Sequence, residues 1–185
     1  GYAWLGKDTE SYGNAVVHLT RAIDENGLSN NTHYQVMLQI AQMQLNSEKY
    51  ADAFTTAQRY LDETQSEDAR AYIVLGNSAY REEKFAESID ALKKALAAKP
   101  DQDDNVLKLL VASYIELNKP LEAATLLEEL LVKKPSDKIL LQNLASVYQQ
   151  ADQDAKAAEV LGRMRTAGLM TTAKDYEVAY RLLAN

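Results

Sequence analysis

Residues 72–100, YIVLGNSAYREEKFAESIDALKKALAAKP, hold two apolar stripes at helical spacing on either side of the polar break Arg81-Glu82-Glu83. Displaced by 35 residues, this stretch aligns with LKLLVASYIELNKPLEAATLLEELLVKKP at 107–135, so that Leu92 falls on Leu127. Apolar and small residues that recur at such a period indicate a repeat protein in which each unit is one helix pair. Because one pair cannot bury its apolar face alone, successive pairs are expected to stack into a solenoid.

The same pattern recurs on both sides of these two stretches. An upstream copy comprises Met37, Ile40, Ala41, Tyr50, Ala53 and Ala57, and a further downstream copy comprises Leu141, Leu144, Ala145, Tyr148, Ala157 and Leu161. We therefore predict a single solenoid domain over 1–185, with repeats at 34–67, 69–102, 104–137 and 138–171 and partial units at 1–30 and 172–185. Because both ends fall inside a unit, we expect the chain to be a fragment of a longer protein.

The fold class predicted from this pattern is all-α. Helix-favouring Ala, Leu, Glu, Lys and Gln are abundant, whereas the 7 glycines and 3 prolines are too few for the frequent turns of a β-sandwich. Pro120 fits the first turn of a helix, and Ala167-Gly168, like Asn26-Gly27, fits a left-handed helix end. The predicted helices span about 9–26, 31–46, 48–63, 67–82, 84–98, 102–117, 120–133, 137–151, 153–166 and 172–184.

The composition argues against several classes of site and partner. The chain has no cysteine, which excludes disulfides, thiolate catalysis and cysteine-based metal sites. Its net charge of −7 argues against nucleic acid and anionic membranes as partners, because both bind cationic surfaces. No apolar run is long enough for insertion into a membrane. Residues 1–68 carry 4 cations and 10 acids, so this third of the chain either steers a basic partner or is a solvated acidic face.

No residue pattern indicates catalysis, and we predict a protein that is not an enzyme and that needs no cofactor or metal. The two histidines, His18 and His33, fall on different predicted helices and lack the spacing of a zinc motif. The acidic loop at 101–105 begins like a calcium loop, but Val106 and Ala112 stand where such a loop needs glycine and glutamate. The loop is therefore interpreted as the start of a helix, where acids are favourable.

The period and residue set resemble those of the tetratricopeptide repeat family, whose pattern is W-x2-L-G-x2-Y…A-x3-F…P over 34 residues. The unit at 69–102 matches with Tyr72, Leu75, Gly76, Leu92, Ala95 and Pro100, and the unit at 104–137 with Leu107, Leu110, Tyr114, Ala123, Leu127 and Pro135. The chain departs from the pattern with Ser88 for alanine, Gln44 for tyrosine and Leu169 for proline. The resemblance implies an α-solenoid of stacked antiparallel helix pairs wound into a right-handed superhelix.

Two stretches also resemble a narrower group, the bacterial periplasmic tetratricopeptide proteins associated with TonB–ExbB–ExbD systems. They are AIDENGLSNNTHYQVMLQIAQMQLNSEKYADAF at 22–54 and GLMTTAKDYEVAYRLLAN at 168–185. The resemblance lies in the loops, where a Gly-Leu pair follows a helix and a polar linker enters the next. It implies a scaffold in the periplasm of the bacterial envelope, with the cytoplasm as the alternative location.

A concave groove is the expected binding surface, since the first helix of each unit lines the inside of such a solenoid. On these helices amides, a few cations and a tyrosine are expected to face away from the partner helix. A groove lined by such side chains suits an extended or helical peptide, because amides can bond to a peptide backbone. The alternative is that this face is merely solvated. The predicted partner-binding residues are Gln42, Asn46, Arg70, Asn77, Tyr80, Arg81, Lys108, Glu116, Gln142 and Gln149.

The predicted function is that of a non-enzymatic scaffold that binds a protein or peptide partner, with a role in envelope transport assembly implied by the narrower resemblance. Two alternatives remain open, a docking or regulatory segment of a larger enzyme and a purely structural spacer. The apolar face predicted for the last helix, which includes Tyr176 and Tyr180, also offers a surface for self-association.

Overall fold

The computed structural model describes residues 9–25, 30–99 and 104–183, and in these ranges the regular structure is entirely helical. The predicted all-α fold of helix pairs is confirmed, and each helix boundary lies within two residues of its predicted position. The helices are α1 (Thr9–Asp24), α2 (Asn30–Asn46), α3 (Tyr50–Thr64), α4 (Ala69–Arg81), α5 (Phe85–Ala98), α6 (Asp104–Glu116), α7 (Pro120–Lys133), α8 (Lys138–Gln150), α9 (Asp154–Thr166) and α10 (Ala173–Leu183).

The helices group into two compact units, Gly1–Val106 and Leu107–Asn185, and the division falls within α6. In the first unit each helix from α1 to α5 packs against the next one, and α2 also packs against α4. In the second unit α7, α8, α9 and α10 pack in succession, and α10 also contacts α8. Packing between near neighbours in the sequence is the arrangement expected of stacked helix pairs.

The turn inside each helix pair has the same backbone geometry in all four repeats. One residue adopts a left-handed conformation, and the amide of the next residue donates to a carbonyl five residues earlier, which is the Schellman ending of a helix. This ending explains why α3 and α5 begin later than predicted. The left-handed residues are Glu48, Glu83, Asn118 and Asp152, with φ of 60°, 59°, 54° and 55°. The amide donors are Lys49, Lys84, Lys119 and Gln153, at 2.9, 2.8, 2.9 and 2.8 Å from the acceptor oxygens.

The helix starts and stops agree with the local signals in the sequence. Pro120 occupies the first turn of α7, and Gly168 follows α9 with a φ of 68°. The carboxylate of Asp68 caps α4 by accepting the amide of Arg70, and Asp137 caps α8 in the same way. The predicted helix end at Asn26-Gly27, the proline at 100 and most of the acidic loop at 101–105 lie outside the described residues.

Gly76 of α4 lies in close contact with α5, the other helix of its pair. A methyl group added at Gly76 would lie 2.7 Å from Cγ of the fully buried Leu92. The hydroxyl of Ser88 donates to the carbonyl of Gly76 over 2.8 Å. The serine that replaces the usual alanine therefore satisfies its own buried hydroxyl, and the fold tolerates the departure.

Each unit has its own apolar core built from the repeat positions. The first unit buries small residues such as Ala53 and Ala57 beside larger ones such as Met37. The second unit buries mainly leucines. Its fully buried large side chains are Leu110, Leu127, Leu130, Leu141, Leu144, Val147 and Met164.

Candidate functional site

A groove of about 580 Å³ in the first unit is lined by the two first helices α2 and α4, with one residue from α3. We call it the α2–α4 groove. The lining residues are Tyr34, Gln35, Leu38, Gln39, Gln42, Tyr60, Arg70 and Val74.

Helical spacing explains why amides and aliphatic side chains share this groove. Gln35, Gln39 and Gln42 lie three or four residues apart on α2, so they occupy one face of the helix. All three are exposed, whereas Leu38 of α2 and Val74 of α4 are buried. The groove therefore has apolar side chains beneath a row of amides, which can both donate to and accept from a peptide backbone.

Arg70 is the one charged side chain among the described lining residues, and Asp68 holds it in place. Nε and Nη2 of Arg70 donate to the two carboxylate oxygens of Asp68 over 3.1 and 2.7 Å. The guanidinium has five N–H donors, so three are left for a ligand. The Arg70 side chain is 75% exposed, whereas that of Asp68 is 17% exposed. The guanidinium is therefore accessible to a ligand, while the carboxylate that holds it is largely shielded from solvent.

The phenol of Tyr60 completes this cluster. Its hydroxyl donates to Oδ2 of Asp68 over 3.1 Å, and its ring meets the ring of Tyr34 edge to face, with centroids 6.4 Å apart. The hydrogen bonds from Arg70 lower the pKa of Asp68 and, in return, raise the pKa of Arg70. Burial raises the pKa of Tyr60. Near neutral pH the groove therefore presents a fixed cation beside a neutral phenol.

Of the predicted binding residues in the first unit, the structure places Gln42 and Arg70 in this groove. Asn46, one turn beyond Gln42, accepts a hydrogen bond from the Gln42 amide over 2.9 Å. The amide of Asn77 donates to the carbonyl of Ile73 in its own helix over 2.8 Å. Neither Asn46 nor Asn77 is among the residues that line the groove.

Tyr80 and Arg81 lie near the end of α4, and neither is among the lining residues of the groove. The ring of Tyr80 packs at an angle of 64° against that of Phe85, with centroids 5.5 Å apart. The guanidinium of Arg81 lies 5.2 Å from the centroid of the Tyr50 ring. Neither Tyr80 nor Arg81 therefore joins Gln42 and Arg70 in the groove, and the role of Tyr80 and Arg81 in binding stays a prediction.

The remaining predicted binding residues belong to the second unit. Lys108 and Glu116 are exposed on α6, and Gln142 and Gln149 are half-buried on α8. They follow the same first-helix positions as the residues of the first unit. Their assignment to a binding surface stays a prediction.

Six of the lining residues are not among the predicted binding residues. Gln35 and Gln39 share the helical spacing of Gln42, so the period of α2 was a sufficient signal for both. Tyr60 belongs to a second helix and reaches the groove through its bond to Asp68, which no periodic pattern reveals. The six residues are Tyr34, Gln35, Leu38, Gln39, Tyr60 and Val74.

The described residues contain no arrangement suited to a metal ion or a bilayer span. No group of three or more His, Asp and Glu side chains among them could hold a metal. His33 lies 3.8 Å from Glu63 and against the Tyr34 ring, and His18 is exposed. None of the helices in this part of the chain combines the length and the hydropathy that crossing a membrane requires.

Residues 38–103 match the model of the tetratricopeptide repeat family. This range begins within α2 and includes α3, α4 and α5, and thus most of the α2–α4 groove. The predicted family is supported over that part of the chain. A comparison with curated protein sequences finds no significant match.

Several solved structures resemble the chain over most of its length. One is YrrB, described as a TPR protein with an unusual peptide-binding site, with a TM-score of 0.69 and 19% identity over 90% of this chain and 82% of that one. Another is the MamA protein, with a TM-score of 0.72 and 15% identity over 89% of this chain and 88% of that one. A third is the Naa15/Naa10 complex with HypK, with a TM-score of 0.63 and 19% identity over 84% of this chain and 25% of that one. At these identities the likeness shows the fold, a solenoid of tetratricopeptide-like helix pairs.

Proposed function

We propose that this protein is an interaction scaffold that binds an extended peptide segment of a partner protein in the α2–α4 groove. The observation that carries the proposal is the combination of three exposed glutamines with a positioned arginine over buried aliphatic side chains. Solenoids of this kind generally serve as non-catalytic binding surfaces. The similar fold of YrrB, described as having an unusual peptide-binding site, supports the proposal.

The chemistry of the groove sets what the peptide must offer. The glutamine amides pair with backbone N–H and C=O groups of an extended chain, and the aliphatic side chains below accept an apolar side chain. The free donors of Arg70 form a fork that matches a carboxylate. The proposed ligand therefore carries an apolar residue next to an acidic side chain or a C-terminal carboxylate.

The first testable prediction compares two arginines on the same helix. Peptides are selected from a random phage-displayed library on the wild-type protein, and their dissociation constants are measured by fluorescence anisotropy. Arg70→Glu is expected to weaken binding at least about tenfold, because it removes a charge-assisted pair and adds a repulsive charge. Arg81→Glu makes the same charge change on an exposed arginine of α4 outside the groove, and it is expected to change the affinity less than about twofold.

Two outcomes would contradict the proposal. Selection that yields no enriched peptide would favour a structural spacer without a ligand. Selected peptides whose affinity falls equally with Arg70→Glu and Arg81→Glu would show attraction to the general charge of α4 rather than to the groove. A docking or regulatory role within a larger enzyme predicts peptide binding as well, and activity in the longer protein would distinguish it.

A periplasmic location and a role in envelope transport assembly belong to the same proposal. Their support is the resemblance of residues 22–54 and 168–185 to envelope repeat proteins. Fractionation of cells that express the full-length protein tests the location directly. Recovery in the cytoplasm would leave the peptide groove in place and remove the envelope role.

A further inference from the structure

A second groove in the first unit, of about 730 Å³, is lined by α3, the loop after it, α4 and α5. We call it the α3–α5 groove. It shares no lining residue with the α2–α4 groove, so it is a separate surface. Its lining includes the buried Leu61, Leu75 and Ala91 and the half-buried rings of Phe54 and Tyr72. Apolar and aromatic side chains in a concave site of this volume are typical of a binding surface.

Charge sets this groove apart from the first one. Four exposed carboxylates line it, those of Asp62, Glu67, Glu87 and Asp90. The one cation among its described lining residues is Lys94, whose Nζ lies 2.8 Å from Oδ2 of Asp90. That pair neutralises one carboxylate, and the remaining three give the groove a negative potential that attracts a cationic ligand.

The two aromatic rings of the groove already meet ammonium groups from the chain itself. Nζ of Lys84 lies 4.8 Å from the centroid of the Phe54 ring, and Nζ of Lys94 lies 6.0 Å from that of the Tyr72 ring. Both lysines are exposed, and their long side chains can move aside at little cost. Each ring therefore presents a face that an incoming cation can take over from an intramolecular one.

We propose that the α3–α5 groove docks a basic, extended segment of a partner protein, with lysine or arginine side chains set among the carboxylates and over the two rings. The carboxylates come from α3, the following loop and α5, so a ligand needs several cations at a spacing to meet them. A polypeptide supplies cations in that way. Gln58 and Gln65 also line the groove. Their amide nitrogens donate to Oδ1 and to the carbonyl of Asp62 over 2.8 and 2.7 Å, so their amide oxygens are the groups that can accept N–H groups of the segment's backbone.

The test uses a fluorescein-labelled peptide of alternating lysine and alanine, with binding followed by fluorescence anisotropy at physiological ionic strength. The double variant Asp62→Asn/Glu87→Gln removes two groove charges from exposed positions. It is expected to raise the dissociation constant at least about fivefold, the effect of two weakened ion pairs. The control Asp52→Asn/Glu82→Gln removes two exposed charges outside the groove. Asp52 lies in the first turn of α3, just as Glu87 lies in the first turn of α5, so each double variant removes one acid from a helix start. The control is expected to change the dissociation constant less than about twofold.

Equal weakening by the two double variants would overturn the proposal, because it would show attraction to the overall negative charge. Competition by spermine as effective as that by unlabelled peptide of equal charge would overturn the assignment to a polypeptide. Amide chemical-shift changes confined to Phe54, Gln58, Tyr72 and their neighbours on titration with the peptide would support the proposal. This outcome is independent of the α2–α4 groove, whose variants leave these carboxylates intact.

Discussion

Gly76 is a residue at which the α4–α5 helix pair leaves no space for a side chain. The atoms that a methyl group would meet belong to Leu92, which is fully buried and cannot swing into solvent. The hydroxyl of Ser88 fixes the same contact from the other helix by bonding the Gly76 carbonyl. Glycine here serves close approach between helices and not backbone flexibility, because it lies within α4.

The second testable prediction compares Gly76→Ala with Gly162→Ala. At Gly76 the overpacking penalty of about 1–3 kcal/mol outweighs the gain in helix propensity, so the free energy of unfolding is expected to fall. At Gly162 in α9 an added methyl group meets no atom within 4 Å, and stability is expected to rise by about 0.5–1 kcal/mol. Urea denaturation followed by circular dichroism measures both changes, and a gain from Gly76→Ala would show that Leu92 can repack.

At the scale of the element, the turn within each helix pair carries a conformational cost. None of its four left-handed residues is glycine, although for L-residues other than glycine this conformation costs roughly 1–2 kcal/mol. The turns persist because the Schellman hydrogen bonds and the packing of both helices define them. The geometry is thus set by the repeat rather than by the residue at the turn.

The third testable prediction follows from that cost. Glu83 is exposed, and Glu83→Gly is expected to stabilise the protein by about 0.5–1 kcal/mol, the left-handed cost less the extra chain entropy of glycine. Asn118→Gly, at the same turn position of the next repeat, is expected to gain less because asparagine tolerates this conformation. Thermal melts followed by circular dichroism provide the comparison. A loss of stability with Glu83→Gly would show that the turn is not strained.

The start of α10 has an acid-sensitive anchor. Oδ2 of Asp175 accepts hydrogen bonds from the amide of Thr171 over 2.9 Å and from the amide and hydroxyl of Thr172 over 2.8 and 2.9 Å. Its other oxygen, Oδ1, lies 2.6 Å from Nζ of Lys138 on α8. The ion pair with Lys138, followed by the hydrogen bonds from Thr172, holds the pKa of Asp175 well below its usual range. Since the pKa of Asp175 is depressed in the folded state, the carboxylate contributes its full stabilisation of the fold above the unfolded pKa of about 3.9. This stabilisation is lost as the pH falls below that value.

The fourth testable prediction uses this pH dependence. Asp175→Asn is expected to lower the melting temperature at pH 7, and its difference from the wild type is expected to shrink as the pH falls below about 4. Asp154→Asn, which removes an exposed carboxylate from the first turn of α9, is the matched control and should have a small effect. A difference for Asp175→Asn that stays constant from pH 7 to pH 3 would show that the charge of Asp175 does not stabilise α10.

At the scale of the whole molecule, the period of the sequence was sufficient to predict the fold because the core is built from repeat positions. Leu92, Leu127 and Leu161 recur at the period and are all buried. The division into two units was not predictable, since the period continues evenly through α6 where the division falls.

For the candidate site, half-buried positions such as Asn77 and Tyr80 show how far a sequence pattern can predict binding residues. Helical spacing places them on the first-helix face, and only their neighbours reveal that Asn77 bonds to its own helix and that Tyr80 packs against Phe85 of α5.

The α2–α4 groove contains residues that the sequence pattern did not predict. Gln42 and Arg70 follow from helical spacing, but the cluster that fixes Arg70 joins the end of one repeat to the start of the next. Tyr60 lies on α3, Asp68 precedes α4, and their hydrogen bond spans the loop between them. Such contacts across a connection depend on the path of the loop, which a periodic sequence pattern does not encode.

Asp68 has a consequence for how this protein can evolve. One carboxylate caps α4, orients Arg70 and accepts the Tyr60 hydroxyl, so its replacement alters a helix start, the groove arginine and a buried phenol together. Of the three glutamines of the groove, Gln42 bonds to the exposed Asn46 on its own helix, so a change at one glutamine does not alter a helix start or a buried group. If the groove binds a peptide as proposed, specificity can therefore change gradually along α2, while Asp68 restricts the change at the Arg70 end of the groove.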